Sequence, residues 1–266
     1  MKIIDTHSHI YPQKIALKAK DNIGKFYSIR MTGVGATAED LIASGEKIGV
    51  EKFVVHSTAT KKEQVKSINN FIIDETQKHS EFIGFATLHP DMTEAEVQME
   101  TERILSAGLR GLKLHPDFQK FCVDDEKAFK IYEACEGRLP ILFHAGDSRY
   151  EYSSPEKIVG IAKVFPKLTI IAAHFGGYTR WDETLIYKEV DNVYFDTSST
   201  LFKLPADRAK KIIMELGCER FMFGVDFPMW RHDDELKRFL AVGLNDEINE
   251  AVLSKNAMRI LNISEN

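Results

Sequence analysis

The chain has 266 residues, 44% of them hydrophobic, a length that suits one large core and a single domain over residues 1–266. Its 35 basic and 40 acidic residues leave a formal net charge of -5 without a block of like charges, which argues against nucleic acid and an anionic membrane surface as partners. The N-terminus lacks the pattern of a secretory signal, no apolar run reaches membrane-spanning length, and Cys122, Cys135 and Cys218 are too few and too scattered for a disulfide framework; a cytoplasmic protein is expected.

In chain order, short β-branched and aromatic runs alternate with amphipathic stretches, the pattern of parallel strands joined by helical crossovers. Strands are predicted over Lys2 to Ile10, Lys52 to Ser57, Phe82 to His89, Gly111 to His115, Pro140 to Ala145, Thr169 to Phe175, Val193 to Ser198 and Arg220 to Phe227. Helices are predicted over Lys62 to Lys78, Thr93 to Ala107, Asp124 to Glu136, Pro155 to Phe165 and Pro205 to Leu216. Ser154-Pro155 and Asp124 to Lys127 supply N-terminal caps, and Gly108, Gly137 and Gly217 stand where helices should stop. Eight strand-helix units without a glycine-rich phosphate loop after the first strand predict a (β/α)8 TIM barrel rather than an open nucleotide-binding sheet. A last helix over Asp246 to Leu261 is extra to the eight units, and the long connection from Tyr11 to Gly35 is expected as a loop over the active-site mouth.

Seven of the nine histidines, His7, His9, His56, His89, His115, His144 and His174, fall near the C-terminal ends of predicted strands, the end that carries the active site in this fold. Period-two alternation puts Asp5, His7 and His9 on one face of the first strand and Thr6, Ser8 and Ile10 on the other. Three ionisable groups stacked in a dry interior are costly unless something compensates them, and a bound cation does so, with Asp5 expected to orient one imidazole. His144 closes the apolar run Pro140-Ile141-Leu142-Phe143, and Asp226 closes the eighth strand, beside the first in a closed barrel. His7, His9, His144 and Asp226 are therefore the expected ligands of one divalent ion, Zn2+ first and Mn2+ or another transition metal second, with a coordination position left for water. His174, followed by Gly176-Gly177, is the expected acid-base residue, with Asp226 also placed in the catalytic group. Lys113 and His115 share a face of the fourth strand, where a lysine can meet a substrate carboxylate or carry a carbamate that bridges two metals, the latter not needed for a single-ion site; His56 and His89 are read as loop supports. Tyr27, Arg30, Arg180, Trp181 and Arg231 lie in loops predicted at the mouth.

Several motifs, in this order, resemble the amidohydrolase superfamily over nearly the whole chain, in the branch that includes aminocarboxymuconate-semialdehyde decarboxylase. They are Asp5-Thr-His7-Ser-His9, Gly111-Leu-Lys113-Leu-His115-Pro116, His144-Ala-Gly146, His174-Phe-Gly176-Gly177, Gly224-Val-Asp226-Phe-Pro228 and Asn256-Ala-Met-Arg-Ile-Leu261. The resemblance implies the same ligand set of His7, His9, His144 and Asp226, with His174 as the adjacent catalytic histidine. Hydrolysis of an amide, ester or lactone by an activated water is the first expectation, and non-oxidative decarboxylation of a small aromatic or unsaturated acid is the alternative. A barrel that binds metal or ligand without turnover is the third. The expected partner is a small carboxylate-bearing substrate, and a homodimer is compatible with the reading.

Overall fold

A computed structural model describes residues 2–264, which leaves the first residue and the last two of the expected domain outside the described region. The strands are β1 (Ile3–His9), β2 (Val50–His56), β3 (Phe82–Ala86), β4 (Gly111–Leu114), β5 (Ile141–Phe143), β6 (Ile170–Ala172), β7 (Val193–Asp196) and β8 (Phe221–Met222). They form one eight-stranded sheet in sequence order, the parallel (β/α)8 arrangement. All eight predicted strands are present, but most are shorter than their apolar runs. His89, His115, His144 and His174 consequently stand one to three residues past a strand end, on loops, while His7, His9 and His56 remain within strands.

The helices are α1 (Ala16–Tyr27), α2 (Ala38–Gly45), α3 (Val65–Lys78), α4 (Glu94–Ser106), α5 (Pro116–Gln119), α6 (Glu126–Cys135), α7 (Pro155–Val164), α8 (Ala206–Leu216), α9 (His232–Leu240), α10 (Asp246–Glu250) and α11 (Asn256–Ile260). The predicted caps are in place: Ser154 Oγ accepts from Lys157 N, and Asp125 accepts from Lys127 N. Two expectations need correction. The segment from Tyr11 to Gly35 is not a plain loop, because α1 occupies its middle; Gly24 lowers its helix propensity and Ala16 is the one residue of the helix that is buried. The terminal helix is in three pieces, α10 and α11 joined by a π-helical turn over Ala251–Lys255. None of the helices among the described residues is long and apolar enough to cross a membrane.

Two compact units divide the chain. The first comprises the chain up to His56, His79–Phe82, and everything from Thr197 onward. Within it β1 runs parallel to β2, with His9 opposite His56, and β8 lies on the other side of β1: Thr6 N donates to Phe223 O at 2.9 Å and Ser8 bridges to Phe227. The C-terminal segment backs β8. Val252 is wholly buried, Phe223 N donates to its carbonyl, and Asn256 Nδ2 donates to Phe221 O at 2.7 Å. The segment around α1 packs on the loop after Asp226, where Thr32 N donates to Met229 O at 2.8 Å and a Cβ on Gly33 would lie 2.5 Å from Pro228 O.

The second unit comprises Ser57–Lys78 and Ile83–Asp196. Here β3 to β7 pair in parallel, with Leu112, Ile141 and Ile170 in register and wholly buried. Strands this short and apolar on both faces are what a sheet covered by helices requires.

Candidate metal centre

In the first unit, β1 and the loop after β8 bring His7, His9 and Asp226 together. Nε2 of His7 lies 3.5 Å, and Nε2 of His9 3.3 Å, from the same Asp226 oxygen, Oδ1. Ligand atoms about 2.0–2.2 Å from a tetrahedral ion stand roughly 3.3–3.6 Å apart, so the donor set and its spacing fit a divalent cation. All three residues are buried. The His56 ring joins them at 4.4 Å from that of His9 and 4.9 Å from that of His7, and nitrogens of the three histidines lie within 4.8 Å of one another. The sequence reading took His56 for a loop support; its place near the end of the predicted strand Lys52 to Ser57 was the available signal, and the structure sets it opposite His9.

The groups around these donors fix their orientation. Ser198 Oγ is 3.1 Å from His7 Nδ1, which leaves Nε2 directed at Asp226. Ser199 donates to Asp226 Oδ2, and Trp230 Nε1 donates to Ser199 Oγ at 2.9 Å. Tyr11 is stacked beside His9 with ring centroids 6.5 Å apart; burial and the charge of Asp226 hold its hydroxyl in the protonated state. The Asp5 carboxylate is engaged elsewhere than on the His7 or His9 ring, contrary to expectation. Oδ1 accepts from the backbone of His7 at 3.0 Å and of Val225 at 2.9 Å, while Oδ2 meets Ser8 Oγ and His232 Nε2, the latter at 3.1 Å. A register shift between Asp5 and Ser8 breaks the strict alternation and lets these two, assigned to opposite faces, bond each other.

In the second unit the loops after β5 and β6 bring His144 and His174 together, with His174 Nε2 3.0 Å from His144 Nδ1. Asp117, in α5, places Oδ2 3.2 Å from His144 Nε2, and the His115 ring stacks on that of His144 at 4.1 Å. Asp147 is nearby but committed: Arg149 grips its carboxylate with Nε at 2.9 Å and Nη2 at 2.6 Å. Burial raises the Asp147 pKa, yet the Arg149 hydrogen bonds prevail and the net shift is downward.

Backbone strain marks the same two loops. His174 has φ 62° and Asp226 φ 64°, left-handed values that non-glycine residues seldom adopt and that cluster at functional sites. Both are pinned. His174 N donates to Asp196 Oδ1 at 3.0 Å and its carbonyl accepts from Trp181 Nε1 at 3.1 Å; Asp226 N donates to His7 O at 2.7 Å and its carbonyl accepts from Met229 N at 2.7 Å. Gly146 has φ 84°, and a Cβ there would come within 2.5 Å of Tyr178 N, so only glycine fits between the His144 and His174 loops.

The remaining candidates are more ordinary. Arg180 pairs with Glu151 and Glu183, Arg231 pairs with Asp233, and Arg30 is exposed. Lys113 is wholly buried in β4. His89 is a loop support, its Nδ1 accepting from Asp91 N at 3.2 Å, and burial lowers its pKa.

Comparison with known proteins bears on both fold and family. An uncharacterised TIM-barrel protein from Bordetella bronchiseptica superposes with a TM-score of 0.80 at 20% identity, covering 99% of each chain. The 5-carboxyvanillate decarboxylase of Sphingomonas paucimobilis superposes with a TM-score of 0.75 at 16% identity, covering 99% of this chain and 100% of that one. A dihydroxybenzoic acid decarboxylase from Polaromonas sp., solved with manganese and the inhibitor 2-nitroresorcinol, gives 0.75 at 15% identity, covering 100% and 98%. These likenesses establish the TIM-barrel fold. No curated protein matches. Residues 4–263 match the family model described as Amidohydrolase, the family for which a divalent metal is expected, and the chain is an enzyme belonging to the amidohydrolase family.

Proposed function

We propose that this enzyme is a metal-dependent, non-oxidative decarboxylase of a small aromatic or unsaturated carboxylic acid. One divalent ion would be held by His7, His9, His144 and Asp226 within a single amidohydrolase-like domain. The observation that carries the reading is the full-length likeness in fold to decarboxylases of substituted benzoic acids. It is supported by the imidazole-imidazole-carboxylate set in one unit and the histidine pair in the other, both at the strand ends that carry chemistry in this fold. Nitrogen and carboxylate donors suit Zn2+, and Mn2+ is the alternative.

When bound, the ion supplies Lewis-acid polarisation of a substrate oxygen. Loss of carbon dioxide leaves a carbon that takes up one proton, so an acid has to stand beside it. His174 is that group: buried, on a pinned backbone, with Nε2 as the atom that carries the proton. Asp226 serves through Oδ1, with Oδ2 held by Ser199. Hydrolysis of an amide, ester or lactone is the second reading, favoured by a ligand set that leaves room for a water. Cys122, Cys135 and Cys218 are all unbridged, which suits a reducing compartment, and the cytoplasm is the proposed location.

The test is carbon dioxide release from a panel of hydroxylated benzoic acids by the Zn2+- or Mn2+-loaded enzyme, run beside lactones, esters and amides. Release that stops with chelator supports decarboxylation. Turnover confined to the second panel replaces it with hydrolysis, and no turnover on either with full metal occupancy favours a binding role. Metal analysis should find about one ion per chain. A His144→Ala chain that keeps its ion would assign the fourth ligand position to His56 instead.

A further inference from the structure

Two strained residues of the first unit face each other. Ser199 has φ 44° and Asp226 has φ 64°, left-handed values that side chains seldom hold unless their surroundings fix them. Both backbones are fixed. Thr200 Oγ1 donates to Ser198 O at 2.9 Å and Leu204 N donates to Thr200 O at 2.9 Å, while Asp226 is tied at its amide and at its carbonyl. Between the two loops Ser199 Oγ donates to Asp226 Oδ2, and Trp230 Nε1 donates to Ser199 Oγ at 2.9 Å. An indole N–H only donates, so the serine oxygen receives from Trp230 and keeps its own proton for the carboxylate. The tryptophan thereby sets the direction of the whole chain.

Trp230 is itself held in place. It is buried, with the Phe202 ring 4.7 Å from its own and the Arg238 guanidinium 4.7 Å from its ring centroid, and Arg238 is in turn engaged by Glu235. We infer that Trp230 is a positioning residue of the candidate metal centre: through the Ser199 hydroxyl it fixes Oδ2 of Asp226 and so presents Oδ1 to the divalent ion. Oδ1 is the oxygen that stands 3.5 Å from His7 Nε2 and 3.3 Å from His9 Nε2. The inference rests on the reading of Asp226 as a ligand. A carboxylate whose rotation is set beforehand loses less conformational freedom when the ion arrives, which is how a partner outside the ligand set raises affinity.

The test is Zn2+ affinity of the full chain, measured by competition with a chelator. Ser199→Gly removes the hydroxyl and takes φ 44° without strain; it is expected to weaken Zn2+ binding roughly ten- to a hundredfold, the usual effect of removing a partner that orients a ligand. Trp230→Phe keeps an aromatic ring but lacks the N–H, and should weaken binding about tenfold, the lower end of that range. In the Ser199→Gly background Trp230→Phe should cost nothing further. Wild-type affinity in Trp230→Phe, with affinity lost in Asp226→Ala, overturns the proposal and leaves Asp226 a ligand; wild-type affinity in Asp226→Ala overturns the ligand reading on which it rests. A loss from Trp230→Phe that persists undiminished in the Ser199→Gly chain means that the ring acts by packing and also overturns it. Should Trp230→Phe fail to fold, Ser199→Gly decides through two readouts, its Zn2+ affinity and the indole 1H–15N resonance of Trp230 in the metal-free protein. Weaker binding together with an upfield shift of the indole proton, which has lost its acceptor, is expected; wild-type affinity or an unmoved resonance is the contrary result.

Discussion

Ser198 Oγ stands 3.1 Å from Nδ1 of His7, and this hydroxyl, not the carboxylate of Asp5, orients the first imidazole of the candidate metal centre. With Nδ1 engaged, Nε2 is left 3.5 Å from Asp226 Oδ1. Ser198→Ala should therefore weaken Zn2+ or Mn2+ binding about tenfold, the lower end for such partners, with little change in folding. Chelator competition measures it, and unchanged affinity would show that His7 is held by packing alone.

His174 has a different signature. Its backbone is fixed by Asp196 and Trp181, so truncating the side chain should leave the loop in place. His174→Ala is expected to retain metal while kcat falls on the order of a hundredfold or more, as for an acid-base group. Metal analysis and single-turnover rates together check this; loss of the ion would make His174 a ligand.

Asp5 is predicted to act on stability. Its carboxylate joins β1 to the loop after β8 through His7 N and Val225 N, and α9 to both through His232, whose Nδ1 lies 2.8 Å from Ser44 Oγ. Asp5→Ala leaves two buried backbone donors and a buried imidazole without their acceptor, a loss of about 3–5 kcal/mol in urea unfolding. Asp5→Asn keeps one acceptor and should lose less. A loss below about 1 kcal/mol for Ala would mean that water replaces the carboxylate.

The strands and the histidine positions were legible because each rests on a local pattern: an apolar run of fixed length ending in an ionisable residue. Helix α1 was not, since it buries only Ala16 and carries Gly24 in its interior, while the segment after it is held by the loop after Asp226. The supporting groups were the hardest to see. Ser198 meets a histidine distant in sequence, and no spacing rule ties a serine at the end of β7 to His7 in β1. Asp5 was placed on the right strand and given the wrong partner, because a register shift undoes the alternation on which the reading depended.

Glu235 provides the pH-dependent prediction. It is almost wholly buried in α9, and that burial raises its pKa to about 7 from 4.5, against the opposing pull of Arg238, with the negative charges of Asp226 and Asp234 adding to the rise. Between pH 4.5 and 7 the folded chain therefore holds a proton that the unfolded chain has released. Folded-state proton binding in excess of the unfolded state makes stability fall as pH rises. The contribution is fully present below about 4.5 and is lost as the pH climbs through about 7, to a total on the order of 3 kcal/mol. Glu235→Gln cannot ionise and should flatten this slope, so that the variant gains on the wild type at pH 8 and matches it near pH 5. Urea unfolding at a series of pH values, with the same metal content in both proteins, measures the difference. A wild-type profile that does not decline across this window, or a Gln variant with the same slope, would mean that Arg238 keeps Glu235 ionised in the folded chain.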